Sequence, residues 1–328
     1  MLAFHSDETD VSLPTGSRFP AARFRMLREA VARDLPGVRL RPALPATRDV
    51  LCGVHDAAYV DAVLQGRLSP AQQREIGFAQ TQQTVLRARR SVGATLMATQ
   101  AALREGVAAN LAGGSHHARA DAGAGYCVFN DVAVAARWFQ RQVGGLPPVA
   151  VIDLDVHQGN GTAAIFRGDA SVFTLSLHGQ RNYPFRKEPG SLDVELPDDC
   201  DDAGYLAALD AALAALWQRT ADDPPRLVFL LAGADPHEHD RLGRLRLTAA
   251  GLAERDRRVL AAVRPRRIPL VLTMAGGYGE DLPRMVDLQA HTVRQALHSW
   301  QDWAADRAES AFMYAGVSLA GATEGEPG

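Results

Sequence analysis

Five short runs of apolar residues recur along the chain, each bounded by Gly, Asp or Pro. They span residues 106–114, 148–156, 171–178, 226–235 and 269–277. Near-continuous hydrophobicity is typical of strands covered on both faces, because a strand with one face in water alternates apolar and polar side chains. The pattern therefore predicts a sheet that is buried on both sides.

Segments with helical periodicity lie between and before these runs. In the second half of the chain they cover residues 129–142, 205–219 and 248–264, and Thr248 is a suitable N-cap for the last. The first 100 residues are mostly helical by the same criterion, with helices predicted over residues 21–33, 50–64 and 82–104. Alternating strands and helices predict βαβ units, and hence an α/β fold whose mostly parallel sheet is covered by helices on both faces.

One domain is the simplest organisation of the 328 residues, because no Ser/Pro-rich linker or internal repeat divides them. We expect this domain to cover residues 1–303, with its N-terminal helices wrapped around the sheet. Residues 304–328 form a C-terminal extension, and we expect the small, polar end AGATEGEPG to be loose.

Composition and charge narrow the classes of function. The net charge is −3, so the chain has no Lys/Arg excess to neutralise phosphates, and we expect no nucleic-acid partner. Three widely spaced cysteines give neither a disulfide framework nor a CxxC metal clip. No apolar stretch reaches the ~18 residues of a membrane helix, and the N-terminus lacks a secretory pattern. We therefore expect a cytoplasmic protein without a membrane partner.

Polar residues that can carry chemistry follow four of the apolar runs. In open parallel sheets the ligand crevice lies at the carboxyl ends of the strands. These ends carry the segments GGSHHARADAGAGYC, DLDVHQGN, GADPHEHD and AGGYGED. We therefore expect the four segments to meet at one edge of the sheet.

The stretch VIDLDVHQGNGT places Asp153, Asp155 and His157 at alternating positions of an apolar run. The period of two in a strand puts Asp155 and His157 on one face, and Asp235 at the end of another run would reach the same rim. Buried charges need a partner or a metal ion. Two carboxylates and one imidazole leave an open coordination position, which is typical of a reactive metal site; a hydrogen-bonded pair at a strand end is the alternative.

Adjacent histidines, His116 and His117, lie in a glycine-rich turn at another strand end. Such a pair can divide its roles, with one ring charged or orienting and the other neutral to move protons near pH 7. Tyr278 follows a further strand end, where its phenol could donate to an oxyanion. His237 and His239 are rival metal ligands, but they follow a proline in a loop, and we interpret them as surface residues at the mouth of the pocket.

Together these segments resemble the histone deacetylase family over residues 18–303. The resemblance rests on GGSHHARADAGAGYCVFNDVAVAA, VAVIDLDVHQGNGT, VFTLSLHG, LAGADPHEHDRLGRLRLT and AGGYG, in this order. The stretch NYPFRKEPGSLDVELP is most similar to bacterial relatives near the class IV branch. The resemblance implies a single-domain, three-layer αβα fold of the arginase/deacetylase type. It also implies a metal-dependent hydrolase that removes acyl groups from N-acyl-lysine in a peptide or protein, or from a small acylated amine.

The family resemblance also assigns roles to individual residues. It implies that Asp155, His157 and Asp235 bind a catalytic Zn²⁺, for which Fe²⁺ could substitute because the ligand set is rich in oxygen. It makes His117 the general base and then the general acid, and His116 its electrostatic partner. Metal and His117 would activate water, while metal and the Tyr278 phenol polarise the acyl carbonyl.

A second cation follows from the same resemblance. Asp153 would hydrogen-bond His116, and a structural K⁺ would be enclosed by Asp153 together with backbone oxygens of Asp155, His157, Ser176 and Leu177. Asn160 is expected to orient His117, at a position where class I members carry Asp. Because Asn carries no charge, the pKa of His117 should be lower than with Asp.

The substrate channel is the least defined part of the resemblance. The Gly125 carbonyl would accept the substrate N–H, and Tyr126 with either Tyr183 or Phe185 would flank the linker of the acylated side chain. Leu242 stands where polyamine-selective relatives carry an acidic residue, so a cationic polyamine has no anchor there. Simple acetyl and fatty-acyl groups both fit this pattern, and the oligomeric state stays open.

Three alternatives to an acyl-lysine hydrolase share the same residues. An arginase-like dinuclear enzyme would need an aspartate at Gly159, as in DxHxD, and a GGDH turn in place of GGSHH. A metal-stabilised protein could bind acyl-lysine without turnover, but it would need neither the proton transfer of His117 nor the donor of Tyr278. An acetylpolyamine or other small-molecule amidohydrolase is the third alternative.

Overall fold

The computed structural model describes residues 1–7, 13, 16–303 and 317–325. Within these ranges eight strands form one sheet in the order β2-β1-β3-β8-β7-β4-β5-β6, with every neighbouring pair parallel. The strands are β1 Leu2–His5, β2 Arg39–Pro42, β3 Val107–Asn110, β4 Val149–Asp153, β5 Val172–Gly179, β6 Leu192–Leu196, β7 Leu227–Leu231 and β8 Leu270–Thr273.

Helices cover both faces of this sheet, so the predicted three-layer α/β fold is confirmed. The helices are α1 Ala22–Asp34, α2 Arg48–Leu51, α3 Ala57–Leu64, α4 Pro70–Ile76, α5 Gln82–Glu105, α6 Asp131–Val143, α7 Asn160–Ile165, α8 Asp202–Arg219, α9 Ala249–Val263 and α10 Leu282–Asp302. None of the helices in the described ranges is long and apolar enough to cross a membrane.

The five predicted runs form the five strands β3, β4, β5, β7 and β8. The strands β1, β2 and β6 were not predicted from the sequence. Of these, β2 and β6 are the edges, with sequences RLRP and LDVEL and several solvent-accessible positions. Edge strands commonly carry charged residues, which hides their strand character from a search for apolar runs. The first 100 residues are mostly helical, as predicted, and they also contain β1, β2 and the unpredicted helix α4.

Two helix predictions show how local sequence acts. The Thr248 side chain caps α9 by accepting a hydrogen bond from the Gly251 N–H at 3.1 Å, so the predicted helix start is confirmed. The single helix predicted over residues 50–64 is wrong, because the chain forms α2 and α3 with a turn between them. Gly53 lies in that turn, and glycine disfavours a helix interior by about 1 kcal/mol relative to alanine.

Strand β4 shows why the reactive residues emerge on one face. Val149 and Val151 pack in an apolar cluster with α5 and α6. Ile152, Leu154 and Val156 pack in a second cluster on the opposite face, with α8, α9 and α10. The ionisable residues that alternate with this second set therefore point toward the α5 side of the sheet. The predicted C-terminal extension lies partly outside the described residues, at 304–316 and 326–328.

Candidate active site

Four neighbouring strands bring the predicted segments together. Strands β3, β8, β7 and β4 are consecutive in the sheet, so their carboxyl ends lie side by side. His116 and His117 follow β3, Tyr278 follows β8, Asp235 follows β7 and Asp155 follows β4. The parallel topology thus joins residues that are up to 162 positions apart in the sequence, as measured from His116 to Tyr278.

Asp155, His157 and Asp235 form a compact buried cluster whose ligand atoms lie within 4.8 Å of one another. The His157 Nδ1 atom is 3.0 Å from Asp155 Oδ1 and 3.2 Å from Asp235 Oδ2. Asp235 Oδ2 accepts no hydrogen bond of acceptable geometry from any described residue. An orphaned, buried carboxylate oxygen that faces an imidazole and a second carboxylate fits a divalent cation held by these three residues.

Backbone N–H groups fix the other carboxylate oxygens of this cluster. Asp155 Oδ2 accepts from the Gly276 N–H at 2.6 Å, and Asp235 Oδ1 accepts from the Val156 N–H at 2.9 Å. A Cβ at Gly233 would lie 2.7 Å from Asp235 Oδ1, so a larger residue there would displace the carboxylate. The glycines after β7 and β8 therefore let the backbone approach the ligands closely.

Electrostatics favour positive charge at this cluster. Burial alone would lower the pKa of His157, but its hydrogen bond to Asp155 and the nearby carboxylates of Asp235 and Asp155 outweigh burial and raise the pKa to about 10. Burial and the neighbouring Asp155 charge raise the pKa of Asp235 to about 7. Two buried carboxylates this close need a cation, because like charges in a poorly solvated site disfavour each other.

The paired histidines have opposite electrostatic environments. The His116 Nδ1 atom lies 2.7 Å from Asp153 Oδ2, and the charges of Asp153 and Asp155 overcome burial and raise the pKa of His116 to about 9. The His117 Nδ1 atom lies 2.7 Å from Asn160 Oδ1. Burial and the positive charge on His116 hold the pKa of His117 well below its usual value. His116 is therefore charged and His117 neutral at pH 7.

The tautomer of His117 follows from its partner. Asn160 Oδ1 is a hydrogen-bond acceptor, so the His117 Nδ1 carries the proton and Nε2 is the basic nitrogen. The rings of His116 and His117 are 4.1 Å apart, which brings a fixed positive charge next to a neutral base. This arrangement suits proton transfer by His117.

Tyr278 reaches the cluster from the end of β8. Its ring lies 6.2 Å from the His157 ring, and it is largely buried. The Tyr278 N–H donates to Asp240 Oδ2 at 2.6 Å, and the Arg241 Nε–H donates to the Tyr278 carbonyl at 2.7 Å. Burial raises the pKa of the phenol well above its usual value, so the hydroxyl stays protonated and can donate a hydrogen bond.

Two buried arginines that sequence analysis missed hold the loops of the site. Arg23 on α1 donates to the Gly277 carbonyl at 2.9 Å and to the Ala275 carbonyl at 2.6 Å. Arg255 on α9 donates to the Gly233 carbonyl at 2.6 Å, two residues before Asp235. Each arginine falls on the buried stripe of its helix, and a charge at a core-facing helical position is the signal that could have found both.

Asp131 is a further missed residue, and it anchors the turn that carries the histidine pair. Its carboxylate accepts from the Ser115 N–H at 2.7 Å and from the Gly114 N–H at 3.2 Å. The Thr95 hydroxyl on α5 donates to the same carboxylate at 2.6 Å. The turn is therefore tied to the N-terminus of α6 and to the middle of α5.

Tyr183 and Gly125 lie beside His117. Tyr183 meets the His117 ring edge-to-face at 4.9 Å, whereas Phe185 is 89% exposed. Of the two aromatic residues left open by the sequence, the structure places Tyr183 beside the site. Gly125 also lies against His117, since a Cβ there would be 2.6 Å from the His117 Cδ2. The Tyr126 ring is 6.0 Å from the ring of Tyr278.

The other predicted residues lie near the same edge. Asp153 and Ser176 are register partners on β4 and β5, and Leu177 follows on β5, so the segments expected to enclose K⁺ are side by side. Leu242 is partly buried against the apolar cluster of α5 and α6, and its carbonyl accepts from the Asn182 Nδ2 at 2.7 Å.

Two observations bear on the rival metal ligands and on the arginase-like alternative. His237 is only 4% exposed, so its prediction as a surface residue was wrong; the turn after Pro236 folds inward, and the His237 N–H donates to the Ala234 carbonyl. His237 and His239 border a different cleft from the one that His117 lines. A side chain at Gly159, as an arginase-like site needs, would clash with Asp153 Oδ2.

Known proteins share sequence and fold with this chain. The model of the histone deacetylase domain matches residues 17–293. An uncharacterized protein of Picosynechococcus sp. is 40% identical over 288 residues, which are 87% of this chain and 94% of that protein. Histone deacetylase 2 of Arabidopsis thaliana is 30% identical over 253 residues, which are 74% of this chain and 64% of that protein.

Among solved structures, an HDAC homolog complexed with SAHA matches with a TM-score of 0.72 and 20% identity, and the match covers 94% of this chain and 92% of the other. That likeness confirms the predicted arginase/deacetylase-type fold. Together with the domain match over most of the sequence, it leads to one conclusion. The chain belongs to the histone deacetylase family of hydrolases.

Proposed function

We propose that this protein is a metal-dependent amidohydrolase that removes the acyl group from N-acyl-lysine or a related acylated amine. The observation that carries the proposal is the juxtaposition of a neutral His117 with the cluster of Asp155, His157 and Asp235. The similarity to histone deacetylases, one of them a homolog bound to SAHA, supports the same substrate class.

A Zn²⁺ or Fe²⁺ ion is the proposed cofactor. Two carboxylates and one imidazole suit either ion, and three protein ligands leave a position for substrate or water. When bound, the ion would polarise the acyl carbonyl and lower the pKa of water. The orphaned Asp235 Oδ2 supports the presence of an ion at this position.

His117 is the proposed proton carrier. Its Nε2 takes the proton of the attacking water while the new carbon–oxygen bond forms, and it then gives a proton to the departing amine as the carbon–nitrogen bond breaks. His116 stays charged because Asp153 accepts its hydrogen bond, and this charge keeps the pKa of His117 low. Asn160 holds the His117 ring in the required tautomer.

The other groups orient the substrate. The protonated Tyr278 hydroxyl donates to the acyl oxygen as negative charge develops there. The Gly125 carbonyl accepts the amide N–H of the substrate, and Tyr126 and Tyr183 flank the linker that leads to the amide. A structural K⁺ at Asp153, Asp155, His157, Ser176 and Leu177 is part of the proposal. So are a catalytic domain over residues 1–303 and a cytoplasmic location.

Hydrolysis of a panel of acylated substrates tests the proposal. Lysine peptides with acyl groups from acetyl to long-chain, and acetylated polyamines, are assayed with added Zn²⁺ or Fe²⁺. We expect hydrolysis of at least one acyl-lysine peptide. His117→Ala should lower kcat by about 10²–10⁴-fold and Tyr278→Phe by about 10²–10³-fold, because each group acts in the transition state.

The controls separate catalysis from folding and metal loading. Both variants should keep the metal content of the wild type, and His298→Ala, at an exposed position of α10, should keep full activity. Absence of turnover on every substrate, or wild-type rates in both variants, would contradict the proposal.

A further inference from the structure

The cavity that contains His117 has a second charged region. It encloses about 80 Å³ and is lined by one carboxylate, that of Asp155, and by two arginines, Arg23 and Arg87, among the residues that the structure describes. The Arg23 Cζ atom is 5.9 Å from the ring centroid of Tyr278. We call the part formed by Arg23 and Arg87 the guanidinium end of the cavity.

The two arginines share one aromatic ring. Arg87 on α5 places its Cζ 4.3 Å from the ring centroid of Phe24 and 5.0 Å from that of Phe19, and Arg23 places its Cζ 4.6 Å from the Phe24 ring. Burial, together with the charge of Arg23, lowers the pKa of Arg87 to about 10. Arg87 stays charged at pH 7, so two neighbouring cations meet in a poorly solvated space.

The guanidinium end has unused hydrogen-bond donors. Arg87 makes no hydrogen bond or ion pair with any described residue, and the buried Nε of Arg23 has no acceptor in the same part of the chain. Asp7 attracts Arg87, but its carboxylate oxygens already accept from His5 at 2.7 Å and Arg28 at 2.8 Å. The buried Arg23 Nε without an acceptor is costly, and Arg87 adds a partly exposed charge that no described carboxylate pairs with, so this end favours an anion from outside.

The adjoining wall of the cavity is polar as well. Thr84, Arg87, Ala88 and Ser91 lie at helical spacing along one face of α5, and all four line the cavity. The Thr84 hydroxyl already donates to backbone carbonyls, but the Ser91 hydroxyl and the Arg87 guanidinium on this face do not suit a long apolar tail. A short ligand with a carboxylate at its end matches both the volume and the charge.

We infer that the guanidinium end binds the terminal carboxylate of a dicarboxylic acyl group, so that succinyl- or glutaryl-lysine is the substrate class. The inference rests on the proposed function, because the amide must lie at the cluster of Asp155, His157 and Asp235. Guanidinium groups hold carboxylates through two parallel hydrogen bonds, which selects a charged acyl end over a neutral one. Hydrolysis adds one water across the carbon–nitrogen bond, releases the dicarboxylate and the lysine amine, and needs no other reactant.

A charge-only comparison tests the inference. Peptides with succinyl-lysine and with its uncharged amide analogue, succinamoyl-lysine, differ only in the acyl end. In the wild type we expect kcat/KM to be at least about tenfold higher for succinyl-lysine, as one charge-assisted hydrogen bond allows. Arg87→Met should lower this ratio by about tenfold, and Arg87→Lys should restore part of it.

A matched control and a binding readout complete the test. Arg25→Met, at an exposed position of α1, should leave the ratio unchanged. Calorimetric titration should show that succinate binds to the wild type. Arg87→Met should weaken the affinity for succinate by about tenfold or more. This measurement of binding does not depend on turnover.

The outcomes distinguish the two proposals. Cleavage of acetyl-lysine with equal or faster cleavage of succinamoyl- than of succinyl-lysine overturns the inference and leaves the proposed function intact. A ratio that Arg87→Met does not change also overturns it. No cleavage of any acyl peptide overturns the proposed function, and succinate binding that depends on Arg87 would then still support an anion site.

Discussion

The two ends of the cavity carry opposite charge and differ in burial, because Asp155, Asp235 and Arg23 are buried whereas Arg87 is partly exposed. At the metal end, Asp155 and Asp235 are oriented by backbone N–H groups and one carboxylate oxygen is left free. At the guanidinium end, Arg23 and Arg87 pack on aromatic rings and leave donors free. Asp155 and Asp235 attract Arg23 electrostatically, but among the described residues no carboxylate forms an ion pair with Arg23 or Arg87. A cation suits one end and an anion the other. This difference would orient a substrate with its amide at the metal end and a negative charge at the guanidinium end.

The two ends also differ in the elements that build them. The metal end comes from the carboxyl ends of β4 and β7, which are neighbours in the sheet. The guanidinium end comes from α1 and α5, which are separate in sequence and whose arginines both pack on Phe24. A parallel sheet fixes the first arrangement through its hydrogen-bond register, whereas the second depends on how helices pack on the sheet.

The largest expected effect is the loss of metal and activity when a ligand at the metal end is replaced. Asp155→Asn removes one ligand charge, so we expect loss of most bound metal and a drop in activity of at least about 100-fold, because the proposed chemistry depends on the ion. Metal content is measured by mass spectrometry on dialysed protein. Asp49→Asn, at a side chain that is 93% exposed, is the control. Full metal content in Asp155→Asn would break the assignment of the metal end.

A second substitution tests the support behind the metal end alone. Arg255→Lys keeps the charge but cannot hold the Gly233 carbonyl and Asp256 together, so the loop before Asp235 should loosen. We expect metal affinity to fall by about 10–100-fold, as for other groups that orient ligands. Competition with a chelator measures the affinity. Arg257→Lys, on the exposed side of the same helix, should not change it.

The smallest effect concerns His117, which lies between the ends. Asn160→Asp adds a negative charge next to the His117 Nδ1, which should raise the pKa of His117. His117 must be neutral to act as a base, so activity is present above its pKa and is lost as the pH falls through it. The acidic limb of kcat/KM against pH should therefore move upward. An unmoved limb would contradict the role of His117.

Much of the metal end could be predicted from the sequence. Asp155 and His157 are two residues apart at the end of an apolar run, and this spacing alone puts them on one face of a strand. The prediction for His237 failed because the path of a loop depends on what it packs against. The strands β2 and β6 were missed for a related reason, since an edge strand is defined by its neighbour rather than by its own hydrophobicity.

The sequence by itself determined the alternation of strands and helices, the strand ends that carry chemistry and the family to which they are similar. Those features depend on periodicity and on short-range spacing, which the backbone geometry of a strand or helix translates directly into position. Only the tertiary structure decided that Arg23 and Arg87 meet on Phe24 and that Arg255 reaches the Gly233 carbonyl. Contacts between distant helices depend on packing in three dimensions, which no local pattern encodes.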